Sequence, residues 1–232
     1  FFMNKNNLVV IAGGTGAIGK AIADELSKIG FSDIIKIGTK TSPSINFNNE
    51  NTILETVEYI REKNKPITIF FDATGVLHHD NFMPEKTFKN IKFEFSKKNF
   101  LINTIGPSLL IKHFAPLLDK DEKSVFATLS AKVGSITENG YGGWYSYRAS
   151  KAALNQIIKT ASIEMKVKNK KAVFISLHPG TVKSNLSEPF QKANLKIQNP
   201  DESAKHLIKI INSIDSSQTG KFFNWDGSEI AW

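Results

Sequence analysis

The apolar run Leu8-Val9-Val10-Ile11-Ala12 passes directly into Gly13-Gly14-Thr15-Gly16-Ala17-Ile18-Gly19, and no other segment of this 232-residue chain restricts its fold as strongly. Five apolar residues are too few for a buried helix and suit a strand covered on both faces. After the glycines, Ile18, Ile22 and Leu26 repeat at helical spacing. The segment reads as strand, glycine turn, helix. Glycines let such a turn bend tightly and approach a ligand closely, and the helix N-terminus beyond them favours a phosphate. Two phosphate patterns compete here. Gly14 to Lys20 also satisfies G-x-x-x-x-G-K, the nucleoside-triphosphate loop, but the next residue is Ala21, which has no hydroxyl to hold magnesium. A dinucleotide pyrophosphate suits the turn better, with a plain glycine turn as the bland alternative.

Strands and helices alternate through the rest of the chain. Asp33 to Gly38 reads as a second strand, Ser44 to Phe47 as a short third, Thr52 to Lys63 as a helix and Ile67 to Ala73 as a fourth strand. Ile91 to Leu118 is mostly helical with an interruption at Gly106-Pro107; Ser124 to Ser130 is a strand, Tyr145 to Lys168 a long helix and Ala172 to Leu177 another strand. Asn199 is an N-cap candidate, with Pro200 in the first turn and Asp201 and Glu202 where a helix dipole favours acids. Phe222 to Trp225 supplies the last strand. Repeated strand-helix-strand units with nearly all-apolar strands predict an α/β, doubly wound parallel sheet with helices on both faces.

Composition places this architecture in one domain spanning residues 1–232, since no linker, repeat or low-complexity block divides the chain. Cysteine is absent, which excludes disulfides and thiolate metal sites. The chain has no run of 18 apolar residues and no signal-like segment, so the cytoplasm is the expected compartment. The net charge of +8 invites a nucleic-acid reading, but the lysines are dispersed and runs such as Lys166 to Lys171 close a predicted helix. Neither a nucleic acid nor a membrane is expected as partner. His78-His79-Asp80 resembles a ligand set, yet adjacent residues point apart and no further His or Cys sits at ligand spacing, so no metal is expected.

In a doubly wound sheet, ligands bind beyond the carboxyl ends of the strands. Tyr147 and Lys151, four apart on a predicted helix, share one face, where an ammonium would favour the phenolate and lower the phenol's pKa. Ser130, at the end of a predicted strand, could hold a substrate oxygen beside them.

With these residues in view, the chain resembles the short-chain dehydrogenase/reductase family over essentially its whole length. The glycine turn matches the family's T-G-x-x-x-G-x-G at Gly13 and Gly19, with Ala12 for the threonine, Ala17 for the middle glycine and Gly16 one place earlier. Asp72-Ala73-Thr74-Gly75 stands where the family has N-N-A-G, and Pro179-Gly180-Thr181-Val182-Lys183-Ser184 resembles P-G-x-V-x-T. Asn103, Ser130, Tyr147 and Lys151 match the four catalytic positions in order and spacing. Gly75-Val76-Leu77-His78, Phe82 to Lys86, His178 to Val182 and Asp226-Gly227 are most similar to the C-factor group of small reductases.

The resemblance implies an NAD(P)-dependent oxidoreductase that interconverts a small-molecule carbonyl and an alcohol by hydride transfer. Tyr147 would pass the proton, Ser130 would hold the oxygen, Lys151 would hold the cofactor ribose and Asn103 would tether a relay water. A nucleotide-binding signalling protein with little turnover, or a purely structural relative, is the alternative. Cofactor contacts are expected in three groups: Gly13, Thr15, Gly16, Ala17, Ile18 and Gly19 in the turn; Ala73, Thr74 and Gly75 after the next central strand; and Pro179, Gly180, Val182 and Ser184 beside the nicotinamide. At the end of the second strand, Ile37-Gly38-Thr39-Lys40 carries no carboxylate to chelate a ribose, whereas Thr39 and Lys40 suit a 2′-phosphate; NADP(H) is favoured over NAD(H). His178 is expected to position rather than catalyse, and Pro189-Phe190 lies where the family places a mobile lid. The family's pairing helices correspond to Ile91–Leu118 and Tyr145–Lys168, and the apolar Phe93, Phe95 and Phe100 fit subunit contact, so a homodimer or homotetramer is expected.

Overall fold

The computed structural model describes residues 3–79, 82–190 and 197–232. Strand β1 (Leu8–Ala12) enters the glycine turn, and helix α1 (Ala17–Lys28) leaves it. β2 (Ile34–Ile37), α2 (Asn51–Arg61) and β3 (Ile67–Asp72) follow, then α3 (Phe93–Phe100), α4 (Gly106–Phe114) and β4 (Ser124–Leu129). The long α5 (Tyr145–Lys168) leads to β5 (Ala172–His178), the short pair β6 (Thr181–Val182) and β7 (Ile197–Gln198), α6 (Pro200–Ser213) and β8 (Lys221–Asn224). Six strands form one parallel sheet in the order β2-β1-β3-β4-β5-β8. This is the doubly wound sheet expected from the sequence.

Strand alternation divides the core into two layers. Val9 and Ile11 join Ile22 and Leu26 of α1 and Leu207 and Ile211 of α6 on one face. Leu8 and Val10 join Ile53 and Val57 of α2, Phe114 of α4 and Leu154 and Ile158 of α5 on the other. Because the central strands are covered on both sides, they carry no polar alternation. Phe70, Phe126 and Phe174 are register partners on β3, β4 and β5. Their rings stack at 4.7 Å and 5.1 Å, and Phe114 packs at 4.8 Å from Phe70.

Three expectations need correction. Ser44 to Phe47 does not form a strand; Ser44 makes only an isolated parallel bridge to Gly38, and Phe47 turns inward to pack on Gly106. A Cβ at Gly106 would lie 2.2 Å from the Phe47 ring, so this glycine serves close packing, not a helix break. The helical irregularity lies just before it, in a π-turn over Leu101–Ile105. In an α-helix the amide of residue 107 would return to the Asn103 carbonyl, and Pro107 has no N–H to give. Finally, Phe95 is a core residue, 1% exposed and stacked on Phe82, and is unavailable for subunit contact, whereas Phe93 is 76% exposed. The two differ because α3 turns successive residues to different faces. Asn199 occupies the N-cap of α6, but its side chain makes no cap bond.

Candidate active site

Apart from Asn103, which lies in the π-turn between α3 and α4, the predicted site segments follow carboxyl ends of strands or begin a helix beside them. At the glycine turn, Gly13 has φ +70°, and a Cβ there would meet the Ala73 backbone at 2.9 Å. A Cβ at Gly19 would lie 2.3 Å from the Gly13 carbonyl oxygen. Only bare backbone fits between β1, β3 and α1. Thr15, Gly16, Ala17, Ile18, Gly19, Ala73 and Gly75 line a cleft of about 740 Å³, which also includes Ser184. A cradle walled by backbone at a helix N-terminus is suited to a pyrophosphate.

A second cavity, of about 360 Å³, adjoins the first through Ile18, Ser184 and Leu186. Ser130, Tyr147, Pro179, Gly180 and Val182 line it, with Leu77, Trp144, His178 and Phe190. Ser130 Oγ is buried and has no hydrogen-bond partner among the described residues. Sequence positions far apart are thus brought to one cavity because β4, β5 and α5 end or begin at the same edge.

Lys151 and Asn103 lie behind this surface. Each places a side-chain atom, Nζ and Oδ1, 3.6 Å from where a Cβ on Gly75 would be. Lys151 is 3% exposed and its Nζ donates to the Leu129 carbonyl at 2.8 Å. Burial pushes its pKa down to about 8, against the raising influence of the Asp72 carboxylate. Asp72, wholly buried, is itself raised by desolvation, with Thr74 and Thr128 hydrogen bonds and the Lys151 charge opposing. Asn103 clamps Val76, accepting from its N–H at 2.8 Å and donating to its carbonyl at 2.9 Å, and also donates to Ser150 Oγ at 3.0 Å. Its amide therefore joins the loop after β3 to α5.

The expectation that Lys151 lowers the Tyr147 pKa is not met. Tyr147 is only 7% exposed, and burial, which disfavours the phenolate, pushes its pKa above the ordinary value. Thr39 and Lys40 are exposed in the turn after β2 and do not line either cavity; Thr41 ties that turn through bonds to Gly38. Thr74 instead bonds to Asp72. The two adjacent imidazoles separate: His78 Nε2 meets the Asn185 carbonyl at 3.0 Å, and the His79 ring packs against Phe82 and Phe95. Asp80 lies outside the described residues.

Sequence reasoning missed three participants. Lys183, inside the Pro179–Ser184 loop, lines the larger cleft, a location its motif could have suggested. Trp144, with φ 52°, precedes α5 in a left-handed conformation uncommon for a bulky residue, and its ring sits edge-on to both Tyr147 and Phe190. Glu85, only 2% exposed, accepts from the Ser146 N–H through both carboxylate oxygens, at 3.3 Å and 3.2 Å, and from the Ser146 hydroxyl. A carboxylate from 61 residues upstream thus caps the helix that carries Tyr147 and Lys151. No local pattern announces that pairing.

A doubly wound sheet of this order with a bare-backbone turn at its edge is a dinucleotide-binding architecture, and the sequence shows the family: the short chain dehydrogenase model matches residues 7–195, and the chain belongs to that family. The 1-hydroxy-2-glutathionyl-2-methyl-3-butene dehydrogenase of Rhodococcus sp. is 28% identical over 86% of this chain and 84% of its own. The C-signal protein of Myxococcus xanthus is 30% identical over 58% of this chain and 77% of its own, in line with the C-factor-like similarity seen in the sequence. Among solved structures, the carbonyl reductase Sniffer of D. melanogaster superposes with a TM-score of 0.84, covering 98% of this chain and all of its own at 21% identity. NADPH-bound carbonyl reductase from chicken fatty liver also gives 0.84, at 20% identity, covering 99% of this chain and 96% of its own. Among the described residues no helix is long and apolar enough to cross a membrane.

Removing the trans cap should weaken the fold. Glu85→Ala leaves the Ser146 donors without their charged partner and is expected to cost about 1.5–3 kcal/mol. The denaturation midpoint of the purified variant measures it, and an unchanged midpoint would refute the capping role.

Proposed function

We propose that the protein is an NADP(H)-preferring reductase of aldehydes or ketones, working through Ser130, Tyr147 and Lys151 with Asn103 in support. The observation that carries this reading is the placement of Ser130 and Tyr147 in one cavity that adjoins the glycine-turn cleft, with the Lys151 ammonium buried behind. The bare-backbone cradle fits a dinucleotide, held by the turn and by the Pro179–Ser184 loop; when bound, its nicotinamide supplies or accepts the hydride.

The chain's own groups handle the oxygen and its proton. Burial keeps the Tyr147 phenol protonated, so it is available to donate as the carbonyl oxygen becomes an alkoxide. Ser130 Oγ, which has no other partner among the described residues, can donate to that oxygen, and the bond strengthens as negative charge grows there. Lys151 stays largely cationic at neutral pH despite its burial and is held behind the cavity by the Leu129 carbonyl, where it suits a cofactor hydroxyl. Asn103, whose amide is taken up by Val76 and Ser150, fixes the Gly75–Val76 loop against α5 and so supports the site from behind.

Lys40, exposed at the end of β2 with no carboxylate nearby in sequence, supports a 2′-phosphate contact. An apolar groove of about 840 Å³ along α4 and α5, including Ile111, Pro116, Ile157 and Met165, supports pairing of two copies through these helices. The second reading, a nucleotide-binding signalling protein with little turnover, is favoured by the similarity to C-signal.

Three measurements test the proposal. Tyr147→Phe should lower carbonyl-dependent cofactor oxidation by about 10²–10⁴-fold while cofactor affinity stays within a few-fold; wild-type turnover in this variant would sink the assignment, and a parent protein inactive on a broad carbonyl panel would favour the signalling reading. Titration at low salt should show tighter binding of NADPH than NADH, with the preference collapsing in Lys40→Glu. Equal affinities would overturn the phosphate contact. Light scattering should give two or four times the 25.8 kDa chain mass, and a monomer mass would refute the pairing.

A further inference from the structure

Ser130 follows β4 and His178 closes β5. The strands pair in register through Leu129 and Leu177, and the Ser130 N–H donates to the Leu177 carbonyl at 2.8 Å. Ser130 and His178 are therefore the next partners across strands about 4.8 Å apart, and side chains at paired positions leave the same face of a sheet. Both line the 360 Å³ cavity beside Tyr147. Ser130 Oγ and His178 Nδ1 are each buried with no hydrogen-bond partner among the described residues. Leaving such atoms unsatisfied costs free energy that a ligand with two suitably spaced oxygens would recover. A reacting carbonyl occupies Ser130 and Tyr147 with one oxygen and leaves His178 unused.

We propose that Ser130 and His178 form a two-point site for oxygens on adjacent carbons of the substrate: the reacting carbonyl at Ser130 and Tyr147, and a neighbouring carbonyl or hydroxyl at His178. This inference rests on the reductase reading and narrows it to vicinal dicarbonyl and α-hydroxy carbonyl compounds. The rest of the cavity favours an uncharged substrate with an apolar remainder. Leu77, Trp144 and Phe190 supply apolar walls. The cations at its rim are engaged, Lys132 with Glu138 at 2.7 Å and Arg148 with the carbonyls of Gly143 and Val133 at 3.0 Å and 3.2 Å. The imidazole is neutral at physiological pH, since burial first, and Lys132 next, push its pKa down to about 4 against the pull of Asp226 and Glu138. A neutral imidazole has one donor and one acceptor nitrogen, so it can serve a carbonyl or a hydroxyl. The reaction reduces one carbonyl to an alcohol, taking a hydride from the reduced nicotinamide cofactor and a proton from Tyr147, and leaves the second oxygen unchanged.

The test compares 1-phenyl-1,2-propanedione with propiophenone, which has the same skeleton and a methylene in place of the second carbonyl. In the parent protein kcat/KM should favour the diketone, and His178→Ala should lower the diketone-to-monoketone ratio at least tenfold. Calorimetric titration of the diketone into the protein without cofactor should show weaker binding in the same variant, a readout independent of turnover. If His178→Ala fails to fold by circular dichroism, the similarly sized apolar His178→Phe takes its place. Carbonyl turnover with a ratio and affinity within twofold of the parent overturns the two-point site and leaves the reductase reading intact. Absence of turnover on any carbonyl, together with diketone binding indifferent to His178, overturns both.

Discussion

The in-register parallel pairing of β3, β4 and β5 is the constraint on which the rest of the molecule depends. Phe70, Phe126 and Phe174 occupy matching positions and stack across the three strands, with Phe114 of α4 closing the column. Each aromatic contact adds about 0.5–1.5 kcal/mol beyond area burial. A slip by one residue would turn these rings to the opposite face, so the column opposes slippage. With the register held, the strand ends align. Asp72, Ser130 and His178 then come to one edge from positions spread over more than a hundred residues of sequence.

At that edge the protein buries ionisable groups and holds them with few partners. Asp72 accepts from Thr128 on the neighbouring strand and from Thr74 in its own loop, which ties β3 to β4 beyond the ladder. The Asp72 carboxylate and the Lys151 ammonium each favour the charged form of the other, while desolvation works against both. Unpaired, either charge would be far costlier to bury. The substitution of Asp for the family's asparagine at this position thus acquires a physical consequence: it places a carboxylate within electrostatic reach of the lysine.

Part of the walls of the site comes from loops that meet through side chains far apart in sequence. Trp144 lies between Tyr147 and Phe190, while His78 receives both the Phe190 ring edge and the Asn185 carbonyl. Glu85 and Trp144 are also joined through the backbone, since the Trp144 N–H donates to the Glu85 carbonyl. The segment after β3 therefore contacts both Phe190 and the start of α5. Trp144 thus links Phe190 to the phenol proposed to donate the proton.

The strand-turn-helix opening, the alternation of elements and the two-sided burial were legible in the sequence, because each depends on local periodicity; Ser130, Tyr147 and Lys151 stood out by type and spacing, and Asn103 only through the family resemblance. Segment 44–47 was misread because a short alternation such as Ser-Ile-Asn-Phe looks the same whether it pairs or packs, and only the tertiary structure brings Phe47 against Gly106. Phe95 was misassigned for a similar reason: helical spacing identifies a face but not its neighbour, here Phe82. The direction of the Tyr147 shift also escaped, since four-residue spacing predicts proximity to Lys151 but not how completely the phenol is buried or that the ammonium bonds to Leu129. The Glu85 cap, the Trp144–Phe190 contact and the unpaired atoms of Ser130 and His178 belong wholly to the tertiary structure. They arise between segments far apart in the chain, where neither propensity nor spacing carries information and only packing determines which groups meet.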